Sequence, residues 1–188
     1  MSRRYLQKFQ IKDVVFLAIM SAVALATCAV MPLVISLQPL IFGISQLVTA
    51  LQIGVFFAIG LYKVRKPGSL LLMALMMGII QLMSPPMFLS SVLNGILIEL
   101  IVLLLFRGYE KDAAVFVAAM LHTPLSLPFN YLYNRLIKGA DSPLAAVADR
   151  APLAAVGMTL AVVAVSALGA LIGIKIAREL KKSGVLKK

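Results

Sequence analysis

The sequence predicts an all-α membrane protein with six transmembrane helices and both termini in the cytoplasm. Composition is the first reason. The 188 residues are 62% hydrophobic and 13% charged, with a mean hydropathy of +1.02, whereas a soluble domain is about half apolar and about a quarter charged. The second reason is patterning: the apolar residues form long helical runs divided by short turns rich in basic residues, Pro and Gly. The third is the placement of the 18 Lys and Arg residues. The lead Met1–Lys12 holds four, the turn at 63–66 three, the turn at 107–112 two and the tail from Lys175 six. Only Arg135, Lys138 and Arg150 fall in the last outer loop. Six spans return the chain to the side where it began, and an excess of Lys and Arg marks that side as cytoplasmic. The same excess explains the net charge of +11. It points to topology and to the lipid bilayer, not to nucleic acid.

The lead reads as a short cytoplasmic segment. The apolar run behind it is too long for a secretory signal, and no small-residue cleavage site precedes a soluble domain. The first span covers 14–35, and Pro32 should kink or end it. In it Ala18, Ala22 and Ala26 recur every four residues. Such a stripe lets another helix approach closely, from within this protein or from a partner. The second span, 39–62, starts at Pro39, where a missing N–H costs little, and carries Gln46 and Gln52. The third, 69–83, is short, with Ala74 and Gly78 at small-residue spacing and Gln81 near its end. Ser84-Pro85-Pro86 divides it from the fourth, 87–106. The fifth, 113–134, holds the single histidine, His122, and two prolines, Pro124 and Pro128, that should break it near its middle;. Its outer end, with Asn130, Tyr131, Tyr133 and Asn134, suits an interfacial anchor or the mouth of a pocket;. A polar loop follows, with a short interfacial turn at Leu144–Val147. The sixth span, 152–174, contains Gly169 and Gly173, a close-packing pair;. Residues 1–188 thus form a single integral membrane domain, and the single cysteine, Cys28, reads as a small buried residue;.

Glu99 is the only acidic residue deep in an apolar run. An ionised carboxylate there costs about 3 kcal/mol or more unless it faces a partner, a cavity or a protein interior. Ser91, Gly95 and Glu99 share one helix face;. From the helical rise, Glu99 lies about 10 Å from the cytoplasmic end of its span, His122 about 14 Å, Gln52 about 15 Å, and Gln81 and Asn94 about 18 Å. Polar groups from four spans therefore share one slab near midplane. They could line a small-molecule site or serve as hydrogen-bonded glue between helices. A Glu99–His122 pair fits either reading. The sequence has no HExxH, GxSxG or Walker A motif and no Cys/His cluster;. No enzyme activity, metal or cofactor is therefore expected, and transport would need an outside energy source. The ten methionines suit adaptable packing;.

Arg65-Lys66-Pro67-Gly68, Asn94-Gly95 through Glu99-Leu100, Phe106-Arg107, and Ala177-Arg178-Glu179-Leu180 with Gly184-Val185-Leu186 carry a family likeness. With the six-span layout and the alanine stripe, they resemble the YkoE-type S component, the substrate-binding subunit of energy-coupling-factor (ECF) vitamin transporters. The likeness covers nearly the whole chain in layout. It departs at Gln81, where that group carries an acid, and at Ser84-Pro85-Pro86. Without a tryptophan, ring stacking would fall to Phe88, Phe129, Tyr131 or Tyr133.

The resemblance implies a prokaryotic cell-membrane protein that captures a small vitamin or vitamin precursor, thiamine or hydroxymethylpyrimidine first, for ATP-driven uptake. It implies a transmembrane coupling protein and two ATPase subunits as partners. The expected ligand contacts are Asn94, Glu99, Gln81, His122, Asn130, Gln52 and Tyr133. The expected docking surface is Ala18, Ala22, Ala26, Ala74 and Gly78. Glu99, on the inner half, would floor the pocket or pair with His122, which leaves Asn94 better placed for direct contact. A self-contained small-solute carrier and a membrane enzyme using a Glu/His pair remain alternatives.

Overall fold

The computed structural model describes residues 8–30, 33–34, 36–82, 84–139 and 142–186. Seven α-helices are present among them: α1 (Ile11–Thr27), α2 (Ile44–Lys63), α3 (Ser69–Ile80), α4 (Pro85–Phe106), α5 (Asp112–Ile137), α6 (Pro143–Arg150) and α7 (Pro152–Lys182). Four of them, α2, α4, α5 and α7, are long and apolar enough to cross a membrane. The other two apolar helices, α1 and α3, have 17 and 12 residues, about 26 Å and about 18 Å of rise. Large apolar side chains remain exposed on the outer faces, among them Leu104 at 80% and Leu153 at 87%. A face of that kind suits lipid better than water.

Several boundaries differ from expectation. The first span ends at Thr27 instead of continuing to 35, and Pro39 lies in a turn ahead of α2. Pro32, Arg3, Arg4 and Asp141 are outside the described residues. Pro85 and Pro86 do not separate α3 from the next helix but begin it, because the first helical positions have no intrahelical use for an N–H. The last helix runs eight residues beyond 174. The expected turn at 144–147 is the centre of α6.

The helix α5 was expected to break at its prolines, yet it is continuous through Pro124 and Pro128. Pro124 cannot donate to the Met120 carbonyl one turn earlier. The Ser166 hydroxyl of α7 donates to that carbonyl instead, at 2.8 Å. A neighbouring helix thus replaces the lost partner, which is how proline is tolerated inside membrane helices.

The bundle is organised around α2, and its contact with α7 is the most extensive in the molecule. Glycines make this closeness possible. A Cβ on Gly169 would overlap the Leu51 carbonyl, and one on Gly173 the Val55 carbonyl. From the other side, a Cβ on Gly54 would come within 2.9 Å of the Ser166 carbonyl oxygen. The core between the helices is filled by Leu17, Phe57, Leu61, Met73, Ile98 and Val102. The pair α3–α4 closes one flank, where Gly95 leaves room for Ala74.

One end of the bundle gathers the basic segments. Asp112, the first residue of α5, bonds both Arg65 at 2.5 Å and Arg178 at 2.6 Å. Lys66 bonds Asp13 at 2.6 Å. The lead into α1, the 63–68 turn, the 107–112 turn and the end of α7 therefore meet, as the cation count predicted. Exposed ion pairs add little stability, typically about 0–1 kcal/mol each, so packing rather than charge holds the bundle.

Gly173→Ala should lower stability by about 1–3 kcal/mol, because backbone must move to admit one methyl group. Gly157, where a Cβ would meet nothing within 4 Å, is the control. Thermal unfolding in detergent should separate the two alanine variants clearly. Equal melting would remove the glycine crossing as the reason for the α2–α7 contact.

Candidate functional site

A cavity opens between α2, α3, α4 and α5, away from the basic end. The first turns of α2 contribute Ser45, Gln46 and Thr49, with Ile53 deeper; Met77 and Gln81 come from the end of α3. Met87, Ser90, Ser91 and Asn94 come from the first half of α4, and His122, Thr123, Ser126 and Asn130 from the middle and later turns of α5. The cavity takes in about 510 Å³ of space, part of it open to the outside. Among the described residues, none that line it is acidic, lysine or arginine, and Lys138 lies in the adjoining cavity that shares Gln46, Met87 and Asn130.

Its inner wall is unusual in hydrogen bonding. Asn94, fully buried, donates from Nδ2 to the His122 carbonyl at 3.1 Å. Its Oδ1 has no partner among the described residues. Both ring nitrogens of His122, Ser90 Oγ and Thr123 Oγ1 are likewise buried and unpartnered. His122 rests against Phe57, with ring centroids 4.4 Å apart and planes 44° apart, so an aromatic neighbour rather than a hydrogen bond sets its position.

Other buried hydroxyls, in the cavity wall and beyond it, are satisfied. Ser91 donates to the Ala74 carbonyl, Ser21 to those of Leu17 and Met73, and Ser69 to that of Val64. A buried polar atom without a partner costs about 1–3 kcal/mol. Five such atoms on four residues along one cavity are a concentrated cost, the kind that a bound ligand or water relieves.

Of the expected ligand contacts, Gln81, Asn94, His122 and Asn130 come together here, while Glu99, Gln52 and Tyr133 do not line the cavity. Gln52 is half-buried on α2 with its carbonyl oxygen unpartnered, and Tyr133 is half-buried beyond Asn130. Ser45, Thr49, Ser90, Thr123 and Ser126 were not singled out in the sequence, and Gln46 was noted only as a polar residue of its span. Helical Ser and Thr usually bond their own preceding turn, as Thr49 and Ser126 do here. Only packing reveals that Ser90 and Thr123 do not.

Glu99 holds a different place. The expected pair with His122 is not formed. Glu99 Oε1 accepts from the backbone N–H of Gly68 at 2.6 Å, and Oε2 accepts from the Tyr109 hydroxyl at 2.9 Å. Gly68, at φ +89°, is the residue that caps the N-terminus of α3. A left-handed conformation there suits glycine, and a carboxylate beside a helix N-terminus is favourably placed. Tyr109 is fully buried in the 107–111 turn. Burial pushes its phenol well above the ordinary range, and the Glu99 carboxylate pushes the same way. It therefore remains a donor at neutral pH. Glu99 ties α4 to the start of α3 and to the turn before α5, so it secures the basic end and does not floor the cavity.

The small residues also divide. Ala22 and Ala26 are exposed on α1 and Ala18 is half-buried. Ala74 is fully buried against α4 and Gly78 lies under the Phe88 ring, so these two serve internal packing and offer no outer docking face.

Residues 11–182 match a family model described as "Hypothetical bacterial integral membrane protein (Trep_Strep)". The chain belongs to this family. It is therefore an integral membrane protein, in keeping with the apolar outer faces of α4 and α7. No curated protein and no solved structure matches the Trep_Strep chain.

Tyr109→Phe should cost about 1–3 kcal/mol, since Glu99 loses one of its two donors. The phenol is raised above its unfolded value of about 10, so its contribution is complete below that pH and is lost as pH rises through the folded value. The difference in melting between wild type and Tyr109→Phe in detergent should thus narrow above about pH 10. A pH-independent difference would remove the hydrogen bond as its cause.

Proposed function

We propose that this protein is the substrate-binding subunit of an ECF-type importer in a bacterial plasma membrane. It captures a small vitamin or vitamin precursor and hands it inward, while a transmembrane coupling protein and two ATPase subunits supply the work. The observation that carries this reading is the intramembrane cavity whose inner wall holds five unpartnered polar atoms. An importer's capture site needs such groups, because a polar solute must exchange its hydration for fixed protein partners. The resemblance of the Arg65–Gly68, Asn94–Leu100 and Ala177–Leu180 segments to YkoE-type S components supplies the transporter class.

The basic end is taken as cytoplasmic by the positive-inside rule. In that orientation α1, α2, α3, α4, α5 and α7 form the six spans, the termini lie inside, and the cavity faces outward. Asn94 sits 13 residues before Arg107, about 20 Å from the inner end along α4. A substrate entering from outside would reach it through Gln46, Gln81 and Asn130, each half-buried at the cavity. Ala22 and Ala26 remain the docking face for the coupling protein, since both are exposed on α1.

Gentle purification followed by mass spectrometry should find a small molecule held by the wild-type protein and depleted at least about tenfold in Asn94→Ala, equivalent to about 1.4 kcal/mol. An empty wild-type protein that binds none of thiamine, hydroxymethylpyrimidine or other B vitamins at micromolar concentration would sink the reading. Ala22→Leu should weaken capture of the coupling protein while leaving ligand binding unchanged. Full assembly by that variant would rule out the stripe as the docking face.

A further inference from the structure

We infer that the cavity selects an uncharged ligand that both donates and accepts hydrogen bonds, and that it discriminates against charged molecules of similar size. This rests on the capture reading above and names the substrate chemistry of that site. Among the described residues the lining has no carboxylate, lysine or arginine, and Lys138 stands outside it in the adjoining cavity. A charged ligand would leave water for a slot with no countercharge, a loss that hydrogen bonds to neutral groups do not recover. The nearest carboxylate along α4, that of Glu99, is already engaged by Gly68 and Tyr109.

The unpartnered atoms define the complementary edge. Asn94 Oδ1 accepts and needs a ligand N–H or O–H;. The Ser90 and Thr123 hydroxyls can donate or accept, and a neutral imidazole at His122 offers one of each;. Ile53, Met77 and Met87 supply apolar walls for a ring face. Hydroxymethylpyrimidine is neutral and meets these conditions, whereas thiamine carries a cationic ring and does not.

The test uses the purified full chain in detergent at pH 8 and matched ligand sets. Nicotinamide is compared with nicotinate and 1-methylnicotinamide, uracil with orotate, and hydroxymethylpyrimidine with thiamine. Binding is read by thermal stabilisation, which grows with ligand concentration over Kd, and by calorimetry. The expected result is that at least one neutral ring binds at least tenfold more tightly than its charged counterpart. Binding of that neutral ring should weaken at least about tenfold in Asn94→Ala and in Ser90→Ala but persist in Tyr109→Phe, which alters the other end of α4. Equal or tighter binding of a charged member overturns the inference while leaving the capture reading standing. So does neutral-ring binding that ignores Asn94 and Ser90. Silence across every set, with no co-purified ligand, overturns the capture reading and this inference with it.

Discussion

A polar group buried in a lipid-enclosed bundle can be satisfied only by the protein itself or by what the protein binds. That constraint explains most of the links between helices in this molecule. The Ser21 hydroxyl reaches across to α3, that of Ser91 to the same helix, and that of Ser166 to α5. Each of these contacts closes a donor or acceptor that lipid could not. The Ser166 bond also keeps α5 helical past Pro124, so one interhelical contact preserves the helix that carries His122 and Thr123.

Two ends of α4 answer the same constraint in opposite ways. At Glu99 every charged oxygen has a donor, and the result is a closed joint between α4, the start of α3 and the 107–111 turn. At Asn94 and Ser90, the polar atoms are buried but unanswered. The helix is thus anchored at the basic end and left chemically open at the other.

This division bears on the family likeness. Arg65, Gly68, Glu99 and Arg178, residues that carry much of the resemblance, meet at the basic end, where they bond Asp112, Tyr109 and one another's turns. They build scaffold. Ser90, His122 and Thr123 lie outside the resembling segments and form most of the open wall. The departure at Gln81 fits the same pattern, since Gln81 lines the cavity and brings no charge to it.

The sequence by itself determined the all-helical class, the separation of basic segments to one end, and the depth of the polar groups. Helical rise converts residue number directly into distance along a span, so Gln81, Asn94 and His122 fell in one slab before any fold was known, together with Gln52 and Glu99, which do not line the cavity;. It did not determine rotation about each helix axis or the identity of neighbours. Asn94 and Glu99 are five residues apart, which turns them about 140° from each other, and only packing decides which side meets a cavity. Glu99 finds Gly68, 31 residues away in the chain, and not His122. Likewise Ala74 and Gly78 resembled an outer stripe until α4 was seen to cover them. Depth is a local property of the helix, whereas partnership is a property of how helices pack.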